Sequence, residues 1–455
     1  MDVVYPSNDP QQQKASLLIS SGRLILTSIT YVTGNVTSRN RLTSDVTRRD
    51  FLAGLACAVG GAVVDQPTVP PVSELAVRPF RIHVEARVRD DLQRRLQRTR
   101  WPDEFENADW RYGTNRSFLQ SLTAYWRNEF DWRQQELGLN RWPQFVAEVD
   151  GQPIHFAHLR GDGPRPLPII VTHGWPSTFA ELLPLADRLA HPARFGVDPG
   201  ISFDVVVPSL PGFGFSPLRS SAQIPRSRVA ELWRRLMTDV LGYPKFFAHG
   251  GDIGAGITSR LGFAHERWVS AIHVTAVRDP YLGPGTRPLS KQEQQLVTEM
   301  KEWDFREGAY SHIQGTRPQT VAYGLSDSPS ALAAWIVEKF RNWSDCGGEV
   351  ERCFTKDQLL TTIMLYWATD TMNSAMRYYF HSFEHPWTIG PDDRVHVPTG
   401  VAIFPKDLAR PPREWAERFY NVQHWSEMPR GGHFAALEQP DLLAEDMRAF
   451  FRRFD

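Results

Sequence analysis

The stretch FFAHGGDIGAG, residues Phe246–Gly256, places a carboxylate where a catalytic nucleophile would stand. An apolar strand pattern runs into a turn of small residues and then into a helix pattern. Gly250, Asp252 and Gly254 fit the turn Gly-x-nucleophile-x-Gly, which presents one side chain at the end of a strand. A carboxylate there can displace a leaving group at a saturated carbon and form an alkyl ester. The spacing therefore predicts Asp252 as a nucleophile.

Two backbone amides are placed to hold the oxyanion that forms when such an ester is cleaved. The strand pattern IIVTHGWP ends at Trp175, with a glycine before it and a proline after it that favour a sharp turn. A tight turn alone would explain this motif. Its combination with the nucleophile turn favours an oxyanion hole formed by the N–H groups of Trp175 and Ile253.

The residues after the nucleophile supply an acid and a histidine in the order that this architecture uses. His433 stands in the glycine-rich segment RGGHFAALEQP, before an amphipathic helix pattern, and is the candidate general base. The strand pattern VPTGVAIFPKD ends at Asp407, which we expect to orient the histidine. Asp392 and Asp393 precede that strand and would lie at the wrong end of the sheet.

Apolar segments that alternate with helical patterns indicate an α/β fold. The runs LPIIVTHGW, SFDVVVPSL, KFFAHGGD and WVSAIHV are typical of strands buried in a parallel sheet with helices on both faces. Helical patterns dominate between Asp279 and Asp393, which predicts a helical lid over the carboxyl ends of the strands. Upstream, FRIHV (Phe80–Val84) predicts a strand, and Asp150-Gly151 predicts a hairpin turn.

The composition argues against several classes of partner. The chain of 455 residues has 51 Lys and Arg against 52 Asp and Glu, so no excess charge indicates nucleic acid or an anionic membrane as a partner. Many tryptophans lie between Trp101 and Trp142 without a basic stripe, and we expect them to pack one subdomain against another. The chain lacks a run of the roughly 20 apolar residues that a membrane-spanning helix needs.

Residues 1–65 are predicted to form a disordered leader that contains an export signal. Arg48 and Arg49, followed by a mild apolar run to Val64, resemble a twin-arginine signal of a bacterial protein. A misassigned start codon would explain the long stretch before the arginines. The alternative is the start of an ordinary amphipathic helix, with the protein staying in the cytoplasm.

The three cysteines leave two alternatives open. Cys57 lies inside the predicted signal, and Cys346 and Cys353 form a pair that fits either a disulfide or two free thiols. A metal site is not expected here, because no second Cys or His pair lies nearby at ligand spacing.

Several long motifs together resemble the microsomal-type epoxide hydrolases, in the order in which that family carries them. They are HGWP at 173–176, PGFGFS at 211–216, HGGDIG at 249–254, GAYSHIQGTRPQTVAYGLSDSP at 308–329, FTKDQLLTTIMLYW at 354–367 and RGGHFAALEQP at 430–440. The resemblance extends from about Val77 to the end of the chain. It implies an α/β-hydrolase fold, a mostly parallel sheet flanked by helices, with an N-terminal extension and a helical lid.

The resemblance also implies the division into domains and the reaction. We expect an epoxide hydrolase N-terminal domain at 77–143, a core in two parts at 144–278 and 393–455, and the lid at 279–392. The expected reaction converts a small apolar epoxide and water to a vicinal diol through an ester on Asp252, with no cofactor and no metal. A homodimer is left open.

Two lid tyrosines that donate a proton to the epoxide oxygen are a further implication of the resemblance. Tyr310, in YSHIQGTRP, matches the first, and in MRYYF Tyr379 matches the second better than Tyr378. The chain departs from the family at two positions. Ile253 stands where the family often has Trp, and Asp407 stands where the mammalian members have Glu. Neither change removes a donor or a charge.

Two other functions share parts of this pattern. A haloalkane-type dehalogenase uses the same aspartate nucleophile but typically holds the halide with a tryptophan beside it, where this chain has Ile253. A non-catalytic α/β-hydrolase that only binds a ligand would usually lack one of the three catalytic residues, whereas Asp252, His433 and Asp407 are all present.

Overall fold

The computed structural model describes residues 77–218 and 223–454. The predicted leader, its paired arginines and Cys57 lie outside these residues. Within the described ranges, no helix combines the length and the apolar character needed to cross a membrane.

A mixed sheet of nine strands forms the centre of the described part of the chain. The strands are β1 (Arg78–Phe80), β2 (Gln144–Val149), β3 (Gln152–Leu159), β4 (Leu167–Thr172), β5 (Phe203–Pro208), β6 (Phe246–Gly250), β7 (Val269–Val274), β8 (Val395–Ile403) and β9 (Tyr420–Glu427). Their order in the sheet is β1-β2-β3-β5-β4-β6-β7-β8-β9. The six strands from β4 to β9 pair in parallel, whereas β1, β2 and β3 form an antiparallel extension that joins β5.

The predicted apolar segments form the central strands. β5 and β6 are buried over their whole length, as expected for strands with helices on both faces. The predicted hairpin joins β2 to β3, and its turn residues Asp150 and Gly151 have φ angles of 50° and 75°. Positive φ at both positions matches the twist of the flanking strands, so this prediction is confirmed.

The helices flank the sheet and form the lid. They are α1 (Ala86–Gln97), α2 (Arg116–Asn128), α3 (Trp132–Leu139), α4 (Phe179–Ala190), α5 (Arg226–Arg235), α6 (Asp252–Ala264), α7 (Lys291–Glu307), α8 (Ala309–Thr316), α9 (Pro318–Asp327), α10 (Pro329–Trp343), α11 (Lys356–Thr369), α12 (Met372–Glu384), α13 (Arg413–Ala416), α14 (Ala435–Glu438) and α15 (Pro440–Phe451). Short helical turns cover Pro192–Phe195, Leu236–Val240, Val350–Arg352 and Arg452–Phe454. α4 packs against β3, β4, β5 and α15, and α6 packs against β6, β7, β8 and α5.

Six helices, α7 to α12, lie between β7 and β8 and form the helical insertion. Within it, α12 packs against α8 and α9, and α10 packs against α9 and α11. The N-terminal helices contact this insertion, since α1 and α2 pack against α10, and α3 packs against α11. The predicted fold class, an α/β-hydrolase fold with a helical insertion and an N-terminal extension, is therefore confirmed.

The strand predicted over Phe80–Val84 is wrong in its extent, because β1 ends at Phe80. The backbone N–H of Ile82 donates to Oδ1 of Asn140 at 2.8 Å, and the N–H of Val84 donates to Oε1 of Glu136 at 2.6 Å. Side chains from α3 and its C-terminal end thus satisfy this extended segment, so it needs no neighbouring strand.

Candidate active site

A strained turn presents Asp252 between β6 and α6. Asp252 is the first residue of α6 and has a φ of 51°, a left-handed conformation that is costly for a residue with a Cβ. Such strain persists where the surrounding structure enforces it, which is typical of functional sites. At Gly254, any Cβ would overlap the carbonyl oxygen of Thr172 on β4. Glycine is therefore required for α6 to begin this close to β4.

Two backbone amides point at the Asp252 carboxylate. The N–H of Trp175 donates to its Oδ1 at 2.8 Å, and the N–H of Ile253 forms the second hydrogen bond to the carboxylate. A Cβ on Gly174 would overlap the same carboxylate, so glycine allows the backbone to approach it. The amides that the sequence suggests for an oxyanion hole thus lie at the carboxyl group whose ester would be attacked.

His433 lies between two carboxylates. Its Nε2 is 3.5 Å from Oδ2 of Asp252, and its Nδ1 is 2.7 Å from Oδ1 of Asp407. Backbone hydrogen bonds hold His433 and Asp407 in place. The N–H of His433 donates to the carbonyl oxygen of Trp343 at 2.8 Å, and the side chain of Asp407 accepts the N–H of Leu408 at 2.7 Å. The structure therefore brings the three predicted catalytic residues into contact.

In this triad, the attraction between opposite charges changes the pKa values of His433 and Asp252 more than burial does. Burial lowers the pKa of His433, but the carboxylates of Asp407 and Asp252 raise it to about 10. Burial likewise raises the pKa of Asp252, but His433 and the two backbone amides hold it below its ordinary value. In the free protein the imidazole is thus an imidazolium between two carboxylates.

Two lid tyrosines stand over the Trp175 indole. The ring of Tyr310, on α8, stacks on it with the centroids 5.0 Å apart, and the ring of Tyr379, on α12, meets it edge-on at 5.9 Å. The two hydroxyl groups interact with each other. Burial raises the pKa of both tyrosines, and the charge of Asp252 raises it further. Both hydroxyl groups are therefore protonated and able to donate.

A cavity of about 310 Å³ joins the predicted catalytic residues to the helical insertion. Asp252, His433, Tyr310 and Tyr379 line it, whereas the ring of Tyr378 packs against Phe213. Most other residues on its walls are apolar, among them Ile253, Ala276, Val277, Leu296, Met300, Trp303, Leu408 and Trp415. Such a cavity suits a small ligand with an apolar body.

Glu181 is a buried carboxyl group that the sequence analysis missed. With Gly174, Asp252 and His433 it lines a second cavity of about 40 Å³, which has room for a water molecule. Burial raises the pKa of Glu181 to about 7, and hydrogen bonds from neighbouring hydroxyl groups oppose that increase. One of these bonds comes from Oγ1 of Thr362, at 2.6 Å. The sequence feature that indicates Glu181 is its position as a carboxylate in the apolar helix α4, which follows HGWP.

A buried chain of polar side chains extends from this smaller cavity. His249 lines the cavity, and its Nδ1 is 3.0 Å from Nδ1 of His273, its cross-strand partner. Nε2 of His273 and Nε2 of His424 lie 2.8 Å and 2.7 Å from the Asp446 carboxylate. Hydrogen-bonding contacts thus connect His249, on the wall of the smaller cavity, to the Asp446 carboxylate through His273.

Neither of the two cysteines in the described part of the chain lines this site. Cys346 and Cys353 are both free thiols, so the disulfide alternative is wrong. Across residues 77–218 and 223–454, no group of three His, Cys, Asp or Glu side chains is arranged to hold a metal ion.

Comparison with known proteins places the chain in a family. The family model "Epoxide hydrolase N terminus" matches residues 77–182, and "Alpha/beta hydrolase family" matches residues 169–446. A protein of Stigmatella aurantiaca (strain DW4/3-1), provisionally named an epoxide hydrolase, is 41% identical over 381 residues, 83% of this chain and 85% of its own length. The chain belongs to the epoxide hydrolase family. Epoxide hydrolase 1 of Oryctolagus cuniculus is 35% identical over 403 residues, 82% of this chain and 88% of its own length.

Solved structures of the family share this fold. The epoxide hydrolase of Aspergillus niger superimposes with a TM-score of 0.73 at 32% identity, over 84% of this chain and 97% of that one. The juvenile hormone epoxide hydrolase of the silkworm Bombyx mori gives a TM-score of 0.76 at 29% identity, over 84% of this chain and 95% of that one. The family relationship therefore covers the core, the helical insertion and the N-terminal extension.

Proposed function

We propose that this epoxide hydrolase family member converts an epoxide and water into a vicinal diol through an ester on Asp252. One arrangement carries the proposal. A carboxylate occupies the nucleophile turn, within reach of His433 and of two oxyanion donors, and shares a cavity with Tyr310 and Tyr379. A carboxylate nucleophile opposite two neutral hydroxyl donors suits a reaction in which a strained C–O bond opens.

In the first step, a carboxylate oxygen of Asp252 attacks a ring carbon of the epoxide. The bond from that carbon to the epoxide oxygen breaks, and its electron pair goes to the oxygen. Tyr310 or Tyr379 donates a proton to this oxygen, which becomes the first hydroxyl group of the product. The result is an ester on Asp252 and a tyrosinate in the lid.

Ester formation prepares His433 for the second step. Esterified Asp252 carries no charge, so one of the two carboxylates that raise the pKa of His433 is lost. The imidazolium can then return its proton to the tyrosinate and become a neutral base. Asp407 continues to orient the ring through Nδ1.

In the second step, water attacks the carboxyl carbon of the ester and gives one proton to His433. The amides of Trp175 and Ile253 hold the oxyanion. The bond between the carboxyl carbon and the substrate oxygen breaks, and the remaining water proton passes to that oxygen. The products are the diol, the Asp252 carboxylate and the His433 imidazolium, which restores the starting state. We infer that this water occupies the small cavity lined by Glu181, Asp252 and His433.

An isotope experiment tests the ester. A single turnover of styrene oxide with excess enzyme in water enriched in heavy oxygen should leave the label in the peptide that contains Asp252 and give unlabelled diol. With many turnovers, the label should pass into the diol. Labelled diol in the first turnover would mean that water attacks the epoxide directly, and would exclude Asp252 as the nucleophile. Halide release from a haloalkane, measured in parallel, tests the alternative of dehalogenation. The residue that follows the nucleophile in the chain is Ile253, which has no indole N–H to hold a halide.

We also propose that the protein is exported by the twin-arginine route. The support is the pair Arg48-Arg49 and the apolar run that follows it. Replacing both arginines by lysine should retain the protein in the cytoplasm. Native protein found wholly in the cytoplasm with residues 47–64 intact would exclude this route. The homodimer stays a prediction, which sedimentation of the mature protein would measure.

A further inference from the structure

Arg226, the first residue of α5, brings a positive charge to the wall of the catalytic cavity. It lines the same cavity as Asp252 and Tyr379. Its Nε atom is buried and has no hydrogen-bond partner. Within residues 77–218 and 223–454, no carboxylate forms an ion pair with it. Buried donors are nearly always satisfied in folded proteins, so this guanidinium on the cavity wall retains hydrogen-bonding capacity that a ligand can use.

Packing holds the Arg226 side chain next to α6 and α12, the helices that carry Asp252 and Tyr379. A Cβ built on Gly256 of α6 would lie 3.4 Å from Cδ of Arg226, so the side chain rests on that helix. On the α12 side, burial raises the pKa of Tyr378 to about 12, whereas the charge of Arg226 and a hydrogen bond from its guanidinium to the Tyr378 hydroxyl group oppose the increase. The guanidinium is therefore positioned beside the residues proposed to react with the epoxide.

Arg278 and Asp279 lie close to Arg226 but do not form an ion pair with it. Arg278 lies near it and stacks on the Trp387 ring at 4.9 Å, and its Nη2 donates to the Trp387 carbonyl oxygen at 3.2 Å. Burial lowers the pKa of Arg278, and the charge of Arg226 lowers it further. Asp279 also lines the cavity. Burial raises the pKa of Asp279, and the positive charge of Arg278 opposes this increase. The charged group that acts on Asp279 is therefore Arg278 and not Arg226.

We propose that Arg226 binds a carboxylate of the substrate, so that the natural substrates are epoxides with an apolar chain that ends in a carboxylate. This inference rests on the proposed function. The planar guanidinium offers N–H donors in a fork that matches the two oxygens of a carboxylate. Such a carboxylate would accept hydrogen bonds from the guanidinium and form an ion pair with it. Leu296, Met300 and Trp303 supply the apolar surface for the chain.

The inference predicts a preference for acids over their neutral esters. A methyl ester of the same epoxy acid carries no charge and leaves the guanidinium without a counterion. Discrimination of this kind is strong, because a mismatched substrate leaves a charged group of the protein unpaired. Neutral epoxides such as styrene oxide do not use Arg226 and report on the catalytic residues alone.

The test compares the terminal epoxides of heptenoic, nonenoic and undecenoic acids with their methyl esters, and includes styrene oxide. In the wild type, kcat/KM for the best acid should exceed that of its ester by about tenfold or more, because hydrogen bonds between charged groups are strong. Arg226→Gln should remove this preference, mainly by raising KM for the acid, so that kcat/KM falls at least about tenfold more for the acid than for its methyl ester or for styrene oxide. Arg226→Lys should retain part of it, since it keeps the charge and loses the fork.

Arg228→Gln is the matched control. It removes a positive charge on the same helix, where the guanidinium pairs with Asp150, and should keep the acid preference. Nonanoate has the carboxylate but no epoxide. It should inhibit styrene oxide hydrolysis competitively in the wild type, and about tenfold more weakly in Arg226→Gln.

Two results would overturn this assignment alone. One is equal kcat/KM for acids and esters in a wild type that hydrolyses styrene oxide. The other is an acid preference that survives in Arg226→Gln. Failure of the wild type to convert any epoxide, styrene oxide included, would overturn the proposed function together with this inference.

Discussion

Nε2 of His433 lies 3.5 Å from Oδ2 of Asp252, so the predicted base contacts the predicted nucleophile directly. The contact has a consequence for the order of events. While Asp252 is charged, it helps to keep His433 protonated and unable to act as a base. Once Asp252 is esterified, that stabilisation is lost and the base becomes available. The same contact thus favours alkylation first and activation of water second.

Replacing His433 by Gln should separate the two steps. Alkylation of Asp252 needs no base, whereas attack by water does, so the ester should accumulate. Loss of general-base catalysis should slow ester hydrolysis by about a hundredfold or more. Mass spectrometry of the Asp252 peptide should show a gain equal to the whole substrate. Asp252→Asn is the control and should form no adduct. An unmodified peptide in the His433 variant would contradict the covalent route.

Asp407→Asn should weaken the base without displacing it. The carboxylate of Asp407 contributes to the raised pKa of His433, so the pKa in the variant should fall below about 10. Because the folded pKa of His433 lies above its unfolded value of 6.5, the pair stabilises the fold fully below that value, as long as the carboxylates are ionised, and loses the effect as the pH rises to about 10. Between neutral pH and about pH 10, the melting temperature of Asp407→Asn should therefore fall less than that of the wild type.

The matched control for Asp407 is a glutamate, the residue that mammalian members of the resembled family carry there. Asp407→Glu keeps the charge, and its ester hydrolysis should stay within about tenfold of the wild type, whereas Asp407→Asn should lose about a hundredfold or more. Rapid-quench measurement of the ester gives both rates. Equal hydrolysis in the Asn and Glu variants would contradict the proposed role of the Asp407 charge.

The residues that could be predicted from the sequence alone are those that local turns position. Asp252, Trp175 and Asp407 each follow a strand, and His433 precedes a helix, so short patterns of glycine, proline and apolar residues indicate where these side chains lie. The backbone conformation at such turns depends mainly on the residues within them. The contacts among these four residues follow from the parallel sheet, because the carboxyl ends of its strands lie at one edge.

Local sequence patterns do not predict the positions of residues that depend on packing between segments far apart in the chain. Tyr310 and Tyr379 were found only through a family resemblance, because the place of α8 and α12 depends on how the lid folds. Glu181 and Arg226 stand in helices where a charge normally indicates the solvated face. Contacts with the lid helices put Glu181 in the interior, against Thr362 of α11, and bring Arg226 next to Tyr378 of α12.

Tyr310→Phe should slow alkylation much more than hydrolysis of the ester. The hydroxyl group donates to the epoxide oxygen only while the ring opens, and loss of such a donor typically costs about a hundredfold. Tyr379 can compensate in part, because its hydroxyl group interacts with that of Tyr310 in the same cavity. The double Phe variant should therefore be slower than either single one.

Tyr378→Phe is the matched control for the lid tyrosines, since its ring packs against Phe213 and not against the Trp175 indole. It should leave the alkylation rate near that of the wild type. Stopped-flow fluorescence during a single turnover gives the alkylation rate. Unchanged alkylation in the Tyr310 and Tyr379 double variant would remove both tyrosines from the mechanism.

Gly254→Ala should destabilise the protein through the nucleophile turn. The added Cβ would overlap the carbonyl oxygen of Thr172, and overpacking of this kind costs about 1–3 kcal/mol. Gly324→Ala is the control, because this helical glycine has no atom close to the position of an added Cβ. It should stabilise the protein by about 0.5–1 kcal/mol. Urea denaturation gives the free energy of unfolding of both variants. Equal values for Gly254→Ala and Gly324→Ala would contradict the predicted overlap.

Glu181→Gln should slow hydrolysis of the ester and leave alkylation unchanged. Glu181 lines the small cavity with Asp252 and His433, where the attacking water would lie. An ionised Glu181 accepts a hydrogen bond from that water and favours the positive charge that His433 gains, whereas an amide has no charge to do so. Because Gln keeps the shape and the bond from Thr362, a general loss of folding is not expected. Hydrolysis should fall by about tenfold or more.

The pH dependence distinguishes this role of Glu181 from a structural one. With a pKa raised to about 7, Glu181 ionises as the pH rises through that value, so wild-type ester hydrolysis should accelerate there. Glu181→Gln should show no such increase. The measurement is the decay of the ester after rapid mixing, followed at several pH values, with the alkylation rate as the internal control. Equal slowing of both steps, or an unchanged pH profile in Glu181→Gln, would show that Glu181 only supports the fold of α4. A selective loss in hydrolysis would place it beside the attacking water.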